Sequence, residues 1–408
     1  GGDDVRALVF NGGSSSLTYK VFQSGGSGEP QAILAGKAHR VGVTGSEPSH
    51  LDNEFHGEVT RDEVPIPDHA VAASLALESI RSRGIEVDCV GHRFVHGGSH
   101  FRRSALITDE VLAKLRQCLP LAPLHNPIAL SVIEESRRAL PGVPMYVCID
   151  SAFHSTIPPH AHVYALPERI RRRFGFRRFG FHGLSYLHVT GETAHLLGRP
   201  VEGLRIVACH LGTGGSSVAA IDGGRSVDTS MGASPLPGLV MSTRSGDIDP
   251  MLALHLMTVW GFHPDDLLDL LNRRSGLLGI SGFSSDISDI VRGLDGEDWE
   301  RAELAFRMYV HRLRKYIGGY ILALGGIDAL VFTDDIGNRN WLLRERVCED
   351  MDWCGLTLDR RANRRMVGGE LTDLRAEGSR VAVLKIPTEE ELVIFREGLS
   401  LMEVSECC

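Results

Sequence analysis

The chain has 408 residues, of which 43% are apolar and 23% charged, and its formal net charge is −9. This length allows two domains with ample cores, and the composition is typical of a folded soluble protein. The negative charge disfavours nucleic acid or an anionic membrane as the main partner. The basic stretch at residues 171–178 is interpreted as a solvated cationic loop beside an anion site rather than an RNA-binding element.

The eight cysteines are scattered along the chain, up to Cys407 and Cys408, and form no CxxC pair. Their spacing predicts neither a disulfide framework nor a zinc site, and it is typical of a reducing compartment. The acidic N-terminus lacks the apolar segment of a signal peptide. No uninterrupted apolar run approaches membrane-spanning length. We therefore expect a cytoplasmic protein without a membrane partner.

Two strand–turn–strand patterns rich in glycine and serine occur in the two halves of the chain. In the first, an apolar strand ends at Asn11, the turn Gly12–Ser16 follows, and a second strand covers Leu17–Phe22. The second pattern spans Ile206–Ile221 around the turn Gly212–Ser217. Glycines let a backbone approach a ligand, and successive N–H groups can hold an anion. The repeat favours a duplicated architecture with two phosphate-facing hairpins, although any two β-hairpins share this pattern.

Between these patterns, apolar periodicity predicts alternating helices and strands. The predicted segments are helices at His69–Arg83, Ile107–Cys118 and Pro127–Leu140 and strands at Val87–Val95 and Met145–Ile149. Asn126 is expected to cap the helix that begins at Pro127.

Three polar side chains stand where buried segments end. Arg93 lies near the end of an apolar strand that is followed by two glycines. A buried arginine without a partner would lower the stability of the fold, so this position is a functional candidate. Asp150 directly follows a strand, a favourable position for a catalytic or metal-related group. His182 has small or apolar neighbours and is a candidate to face a ligand. Arg93 and His182 also have structural interpretations, an ion pair for Arg93 and a satisfied core histidine for His182.

The segment Thr243–Pro250 contains a single arginine, Arg244, among small polar residues and carboxylates. The fixed fork of an arginine suits a carboxylate or a phosphate. A phosphate-holding turn followed by such a loop is what phosphoryl transfer requires.

The remaining elements continue the alternation of helices and strands, which predicts an α/β class. They are helices at Met251–Trp260, Pro264–Asn272, Trp299–Leu324 and Glu389–Leu401, and strands at Ile327–Thr333 and Val381–Ile386.

Taken together, an ordered series of motifs resembles the acetate kinase family, over nearly the whole chain. The motifs are Asn11–Leu17, His92–Gly98, Pro123–Pro127, Asp150–His154, Gly180–Gly183, His210–Gly212, Thr243–Pro250, Ser275–Asp286 and Ile386–Leu392. The resemblance implies a two-domain actin-like (ribonuclease H-like) α/β fold with duplicated βββαβαβα-type cores and an interdomain cleft. Residues 1–150 with 387–408 would form the acid-binding domain, and residues 151–386 the nucleotide/phosphate-side and dimerisation domain of a homodimer.

The resemblance also implies reversible, direct in-line phosphoryl transfer between ATP and acetate, which gives acetyl phosphate and ADP. Arg93 and Arg244 would hold the carboxylate and the moving phosphoryl group. His182 would stabilise the equatorial oxygens, and Asp150 would position the acetate or the metal. Such a reaction needs positioning and cationic charge rather than a covalent nucleophile.

The resemblance assigns the other site residues as follows. Mg²⁺, or Mn²⁺ in its place, would be organised by Asn11 and Glu390. The acetate methyl group would meet Val95, Leu124, Phe181 and Pro235. Nucleotide or phosphate would contact Ser14, Ser16, His210, Gly212, Thr213, Gly214, Asp286, Ile287, Ser288, Asp335 and Gly337. A pocket of this kind discriminates one methylene by only about 1–3 kcal/mol, so propionate is expected to be a poorer substrate than acetate.

The departures from the family pattern cluster on the nucleotide side. Thr18 replaces a lysine, Thr213 an asparagine and Ser288 an arginine, and Asp335 replaces a glycine that lies against the purine. These changes support an alternative in which pyrophosphate or phosphate replaces the nucleotide because the adenosine pocket is impaired. In the other interpretation, ATP still binds through the remaining glycines with looser base contacts.

Two hypotheses come from other functional classes. A metal-dependent hydrolase would use ligands drawn from His92, His96, His100, Asp150 and His154. A non-enzymatic actin-like binding module would have no need of the four residues assigned to catalysis, and their presence argues against it.

Overall fold

A computed structural model describes residues 5–25, 28–43, 45, 47–365 and 369–406; Cys407 and Cys408 lie outside the described residues. The chain divides into two compact units. The first unit is Gly1–Phe153 together with Glu389–Cys408, and the second is His154–Thr388. Assigning acid binding to the first unit and nucleotide binding to the second stays a prediction.

Strands β1 to β14 form one sheet in each unit. They are β1 Arg6–Gly12, β2 Ser16–Gly25, β3 Gly28–His39, β4 His50–Phe55, β5 Glu58–Glu63, β6 Cys89–Phe94, β7 Ala105–Leu106, β8 Met145–Ile149, β9 Arg205–Gly212, β10 Gly215–Asp222, β11 Arg225–Thr229, β12 Ala329–Thr333, β13 Thr372–Asp373 and β14 Ala382–Lys385.

Helices surround both sheets. They are α1 His69–Ser82, α2 Asp109–Gln117, α3 Asn126–Ala139, α4 Pro159–His162, α5 Glu168–Phe174, α6 Gly183–Leu197, α7 Pro250–Thr258, α8 Pro264–Arg273, α9 Gly276–Ser281, α10 Ile287–Gly293, α11 Trp299–Leu324, α12 Asp334–Arg339, α13 Trp341–Val347, α14 Arg360–Arg365 and α15 Glu390–Glu406. Within the described ranges, none is both long and apolar enough to cross a membrane.

The two sheets repeat one arrangement. The first has the order β5-β4-β3-β2-β1-β6-β8-β7 and the second the order β11-β10-β9-β12-β14-β13. In each, an antiparallel meander, β1 to β3 or β9 to β11, is continued by two parallel strands, β6 and β8 or β12 and β14. The predicted duplication is therefore confirmed.

In the first unit, helices pack on both faces of the sheet. On one face, Leu8, Phe10 and Val90 are buried in a core that includes residues of α1 and α3. On the other face, α15 packs against β1, β2 and β6, and its Phe395 ring lies 5.2 Å from that of Phe22 on β2. The last helix of the chain thereby covers its first strands.

Asn126 differs from its predicted role as a helix cap. It begins α3, and no side chain caps this helix. Its buried amide instead donates to the carbonyls of His96 at 3.0 Å and Cys118 at 2.7 Å, and accepts the N–H of His96 at 3.1 Å. These bonds satisfy buried backbone groups of His96 and Cys118 that form no strand–strand hydrogen bonds. They also fix the position of His96, in the segment that follows β6.

Candidate active site

In the first unit, charged and amide side chains meet where β1, β6 and β8 end. Arg93 on β6 donates to Oδ2 of Asp150 from Nε at 3.0 Å and from Nη2 at 2.7 Å. Its Nη1 donates to Oδ1 of Asn11 at 3.0 Å. Because carboxyl ends of parallel strands lie at one edge of a sheet, these residues, distant in sequence, form one group, here named the Arg93 cluster.

Helix α15 adds two carboxylates to the Arg93 cluster. Nδ2 of Asn11 donates to Oε2 of Glu390 at 3.0 Å and to Oε1 of Glu391 at 2.8 Å. Nη1 of Arg93 lies 3.5 Å from Oε2 of Glu390, and Nζ of Lys20 lies 3.4 Å from Oε2 of Glu391. Glu390 is among the residues predicted from the sequence, whereas Glu391 and Lys20 are not.

Arg93 remains a cation although it is well buried. Its side chain is 17% exposed, and Asp150 is 0% exposed. Burial alone would lower the pKa of Arg93, but the carboxylates of Asp150 and Glu390 more than offset this and raise it. A guanidinium has five N–H donors, and the three hydrogen bonds described use only part of them. The cluster therefore combines a fixed cation with remaining capacity to bind an anion.

The histidines of the hydrolase hypothesis are not brought together. His92 is buried against Phe10, with ring centroids 5.7 Å apart, and burial lowers its pKa to about 3. Nδ1 of His96 accepts the N–H of Gly98. His154 belongs to the second unit, where its ring bonds Ser226 and the carbonyl of Phe181. Among the described residues, the one group with metal-ligand spacing contains none of these histidines, so the hydrolase hypothesis gains no support.

In the second unit, two histidines stack beside the hairpin of β9 and β10. The rings of His182 and His210 lie 4.0 Å apart. Nδ1 of His182 is hydrogen-bonded to Oγ of Ser217 at 2.7 Å, and that hydroxyl also bonds Tyr186. Nδ1 of His210 is bonded to Ser185 at 2.9 Å, and its Nε2 lies 3.1 Å from Oδ2 of Asp334. This network orients His182, because each ring or hydroxyl has its partner inside the unit.

Arg244 approaches the same hairpin. A Cβ on Gly215 would lie 3.0 Å from Nη1 of Arg244 and 3.5 Å from Nε2 of His182, so the glycine makes room for both. The described hydrogen bond of Arg244 is a long one, 3.9 Å to the sulfur of Met241. Burial lowers the pKa of Arg244, and no carboxylate of the described residues offsets this effect. A half-buried guanidinium without a protein counter-anion is suited to an anionic ligand.

In the turn between β9 and β10, Thr213 donates hydrogen bonds to the carboxylate of Asp335. Oδ1 of Asp335 accepts the N–H groups of Thr213 at 2.9 Å and Ile336 at 2.8 Å, and its Oδ2 accepts the hydroxyl of Thr213. A Cβ on Gly212 would clash with Oδ2 of Asp334. Asp335 therefore occupies a backbone donor that an anion would otherwise use.

A cavity of ≈ 260 Å³ lies beside this turn. Its lining includes five of the eleven residues predicted to contact nucleotide or phosphate: Thr213, Asp286, Ile287, Ser288 and Asp335. Asp286 is engaged as the cap of α10, where it accepts the N–H of Ser288 at 2.7 Å. Pockets for small molecules typically have volumes of about 300–1,000 Å³, so this cavity is small for a nucleotide.

The remaining predicted residues fall in both units. Ser14 is exposed and Ser16 half-buried in the β1–β2 turn, where the N–H of Gly13 donates to the carbonyl of Ser16 at 2.8 Å. Val95 and Leu124 belong to the first unit and Phe181 and Pro235 to the second. Gly214 lies in the β9–β10 turn with open space around it, and Gly337 is buried in α12. Their roles stay predictions.

The partners that orient His182 are not among the residues predicted from the sequence. Ser217 was part of a turn pattern only, and Tyr186 lies on α6, which was not predicted because its mixed sequence lacks a clear apolar stripe. Asp334 offered a signal, since it directly follows a buried strand in the same way as Asp150.

Comparison with known proteins gives a consistent result. Residues 6–396 match the model of the acetokinase family. The acetate kinase of Thermotoga sp. (strain RQ2) is 41% identical, over 98% of this chain and 99% of that protein. The acetate kinase structures from Entamoeba histolytica and Porphyromonas gingivalis are 42% and 38% identical, each with a TM-score of 0.89 and coverage of 98% of this chain and 100% of theirs. The predicted fold class is thereby confirmed.

Proposed function

This chain belongs to the acetokinase family, and from that premise we propose that it transfers a phosphoryl group reversibly between a phosphoryl donor and acetate. The enzyme is a phosphotransferase with a carboxyl group as acceptor, and its product is acetyl phosphate. The observation that carries the proposal is Arg244, a cation that lies beside a glycine hairpin without a carboxylate partner among the described residues.

Phosphoryl transfer asks a protein mainly for positioning and for positive charge at the oxygens of the moving group. Acetate supplies its own nucleophilic oxygen, so no strong base is required. In our proposal Arg93 holds the acid, while Asp150 and Asn11 fix the direction of its guanidinium. Arg244 and His182 stabilise the phosphoryl oxygens.

The residues assigned to the metal have suitable chemistry for Mg²⁺. Asn11 and Glu390 offer an amide oxygen and a carboxylate, which are hard oxygen ligands, and the amide nitrogen of Asn11 donates to Oε2 of Glu390 at 3.0 Å, so the two side chains are neighbours. Mg²⁺ is usually held by one or two carboxylates plus substrate phosphates, so this small set is sufficient. When bound, the ion would neutralise charge on phosphoryl oxygens. Mn²⁺ has the same ligand preferences and is the alternative.

For the phosphoryl donor we propose ATP, and ADP in reverse, bound beside the turn Gly212–Gly214 and the cavity that includes Asp286, Ile287 and Ser288. A second candidate, pyrophosphate or phosphate, is favoured by a specific observation. The carboxylate of Asp335 accepts the N–H of Thr213 and lines the cavity proposed for the base. The two donors require the same chemistry at Arg93 and Arg244.

The donor is tested by acetyl phosphate turnover with Mg²⁺, with ADP compared with orthophosphate as the acceptor. We expect ATP to form from ADP, and Asp335→Gly with Ser288→Arg to lower the KM for ADP about tenfold, a gain of about 1.4 kcal/mol. The KM for acetyl phosphate serves as the internal control and should not change. Pyrophosphate formed without ATP would establish the second candidate, and turnover with neither acceptor would contradict the proposed function.

We also propose a homodimer formed through α7 and the segment after it. Helix α7 has no buried residue, and Met251, Leu252, Leu254 and Trp260 are 50–70% exposed. Monomeric proteins rarely expose a large apolar patch, so we expect these side chains to be covered by a second subunit.

Sedimentation velocity tests this proposal with Leu252→Glu combined with Leu254→Glu. We expect the parent protein to sediment as a dimer and the variant as a monomer. The matched control is Leu322→Glu, which changes a leucine that is 82% exposed on α11 and should leave the dimer intact. A monomeric parent, or a variant that still dimerises, would rule out this interface.

A cytoplasmic location, and the absence of a nucleic-acid partner, stay predictions. The described cysteines are unpaired thiols, most of them buried, and this is typical of proteins in a reducing compartment.

A further inference from the structure

Two histidines and an aspartate face one another on β3 and β4, on a part of the sheet for which the proposed reaction has no use. His39 and His50 are paired directly across these antiparallel strands. Asp52 lies two residues further along β4 and so on the same side of the sheet. The two imidazole rings stack with centroids 4.6 Å apart. Among the described residues, only these three place their ligand atoms within 4.8 Å of one another.

We propose that His39, His50 and Asp52 bind a divalent transition-metal ion of the Zn²⁺ type. Oδ2 of Asp52 lies 3.2 Å from Nε2 of His39 and 3.9 Å from Nε2 of His50. Ligand atoms about 2.0–2.2 Å from a tetrahedral zinc ion are roughly 3.3–3.5 Å apart. The spacings of 3.2 and 3.9 Å lie on either side of that edge length, and a turn of the stacked imidazole rings about their Cβ–Cγ bonds would direct both nitrogens to one ion. All three side chains are half-buried, so an ion reaches them from solvent. Water would complete the coordination.

The ligand set selects the kind of metal. Imidazole nitrogens suit Zn²⁺, Co²⁺, Ni²⁺ and Cu²⁺, whereas Mg²⁺ and Ca²⁺ prefer oxygen ligands. The site is therefore different in chemistry from the Mg²⁺ position proposed for Asn11 and Glu390. Neutral imidazole is the form that binds a metal ion.

Arg61 on β5 both supports and opposes this site. Its Nε donates to Oδ1 of Asp52 at 2.8 Å, which leaves the other carboxylate oxygen directed to the histidines. Such bonds to a ligating carboxylate orient it for the metal. Its Nη2, however, donates to Oδ2 at 3.0 Å and competes with the ion. The Arg61 side chain is 61% exposed, so it can move aside at little cost.

The test measures metal binding directly in the full chain, with Cys407→Ser and Cys408→Ser introduced to remove thiol competitors. Co²⁺ titration followed by visible absorption reports stoichiometry and geometry, and competition with a chromogenic chelator gives the Zn²⁺ affinity. We expect one ion per chain. Loss of a residue that hydrogen-bonds a metal ligand typically lowers metal affinity by about 10–100-fold. Loss of two ligands, in His39→Gln with His50→Gln, should therefore weaken Zn²⁺ binding by more than ~100-fold. Glutamine at position 61 can still donate one bond that orients Asp52, but it lacks the charge and the second donor group that compete with the ion. Arg61→Gln should therefore tighten binding several-fold, an effect that a purely structural ion pair would not produce.

The matched control is His56→Asn on the β4–β5 turn. His56 has a φ of 51°, which asparagine tolerates, and this variant should bind as the parent does. If the double variant does not fold, His50→Gln alone is used and should still lose at least ~10-fold. Unchanged affinity in the histidine variants, or no stoichiometric binding by the parent, would overturn the proposal.

Discussion

Replacing Arg93 by alanine is expected to lower kcat/KM for acetate by about 10²–10³-fold, the effect of removing one preorganised cationic donor. The same change should destabilise the first unit, because the carboxylate of Asp150 is 0% exposed and forms an ion pair with Arg93. Breaking a buried ion pair by removing one partner costs about 3–5 kcal/mol. Steady-state kinetics and urea unfolding measure the two effects on one preparation.

Asp150→Asn in the Arg93→Ala background separates the two effects. Removing the negative charge of Asp150 should recover part of the lost stability but none of the lost activity. Arg116→Ala is the control, since Arg116 pairs with Glu134 on the exposed surface and should change neither quantity. Near-normal kcat/KM for Arg93→Ala would remove this residue from the proposed site.

Replacing Arg244 by alanine is expected to reduce kcat/KM for acetyl phosphate by a similar factor of about 10²–10³, with the opposite consequence for stability. No carboxylate of the described residues pairs with Arg244, and burial already lowers its pKa. Removing a partly buried cation without a counter-anion should leave the thermal midpoint unchanged or raise it.

Arg244→Lys provides the comparison for this second prediction. Lysine keeps the charge but loses the planar fork, so activity should be intermediate between the parent and the alanine variant. Thermal unfolding followed by circular dichroism supplies the stability measurement. A normal rate in Arg244→Ala, or a loss of stability as large as that of Arg93→Ala, would contradict the proposed role.

The sequence predicted the elements that have local signals. Apolar strands interrupted by glycines indicated β1, β2, β9 and β10, and helical periodicity placed α1 and α11 almost to the residue. The meander β3 to β5 was not predicted, since β5 is exposed throughout and carries no apolar alternation. The cap assigned to Asn126 was wrong because tertiary bonds to His96 outweigh the local preference.

Residue types in the candidate site were predictable, whereas their partners were not. Arg93 was chosen because it is a charge at the end of an apolar strand, but its bonds to Asp150 and Asn11 depend on the register of three parallel strands. Asp335 was expected to add bulk beside a base. Its bond to the Thr213 N–H could not be derived, because the two residues are 122 positions apart and meet only through the sheet.

The return of α15 to the first unit determines the order in which the protein can be completed during synthesis. Asn11 and Glu390 are 379 positions apart and share a hydrogen bond, and α15 covers β1 and β6. Until α15 has left the ribosome, β1 and β6 lack the helix that packs on them and Asn11 lacks its carboxylate partners Glu390 and Glu391. The second unit is continuous from His154 to Thr388, so it can close its core first. The part of the enzyme that is translated first is therefore finished last.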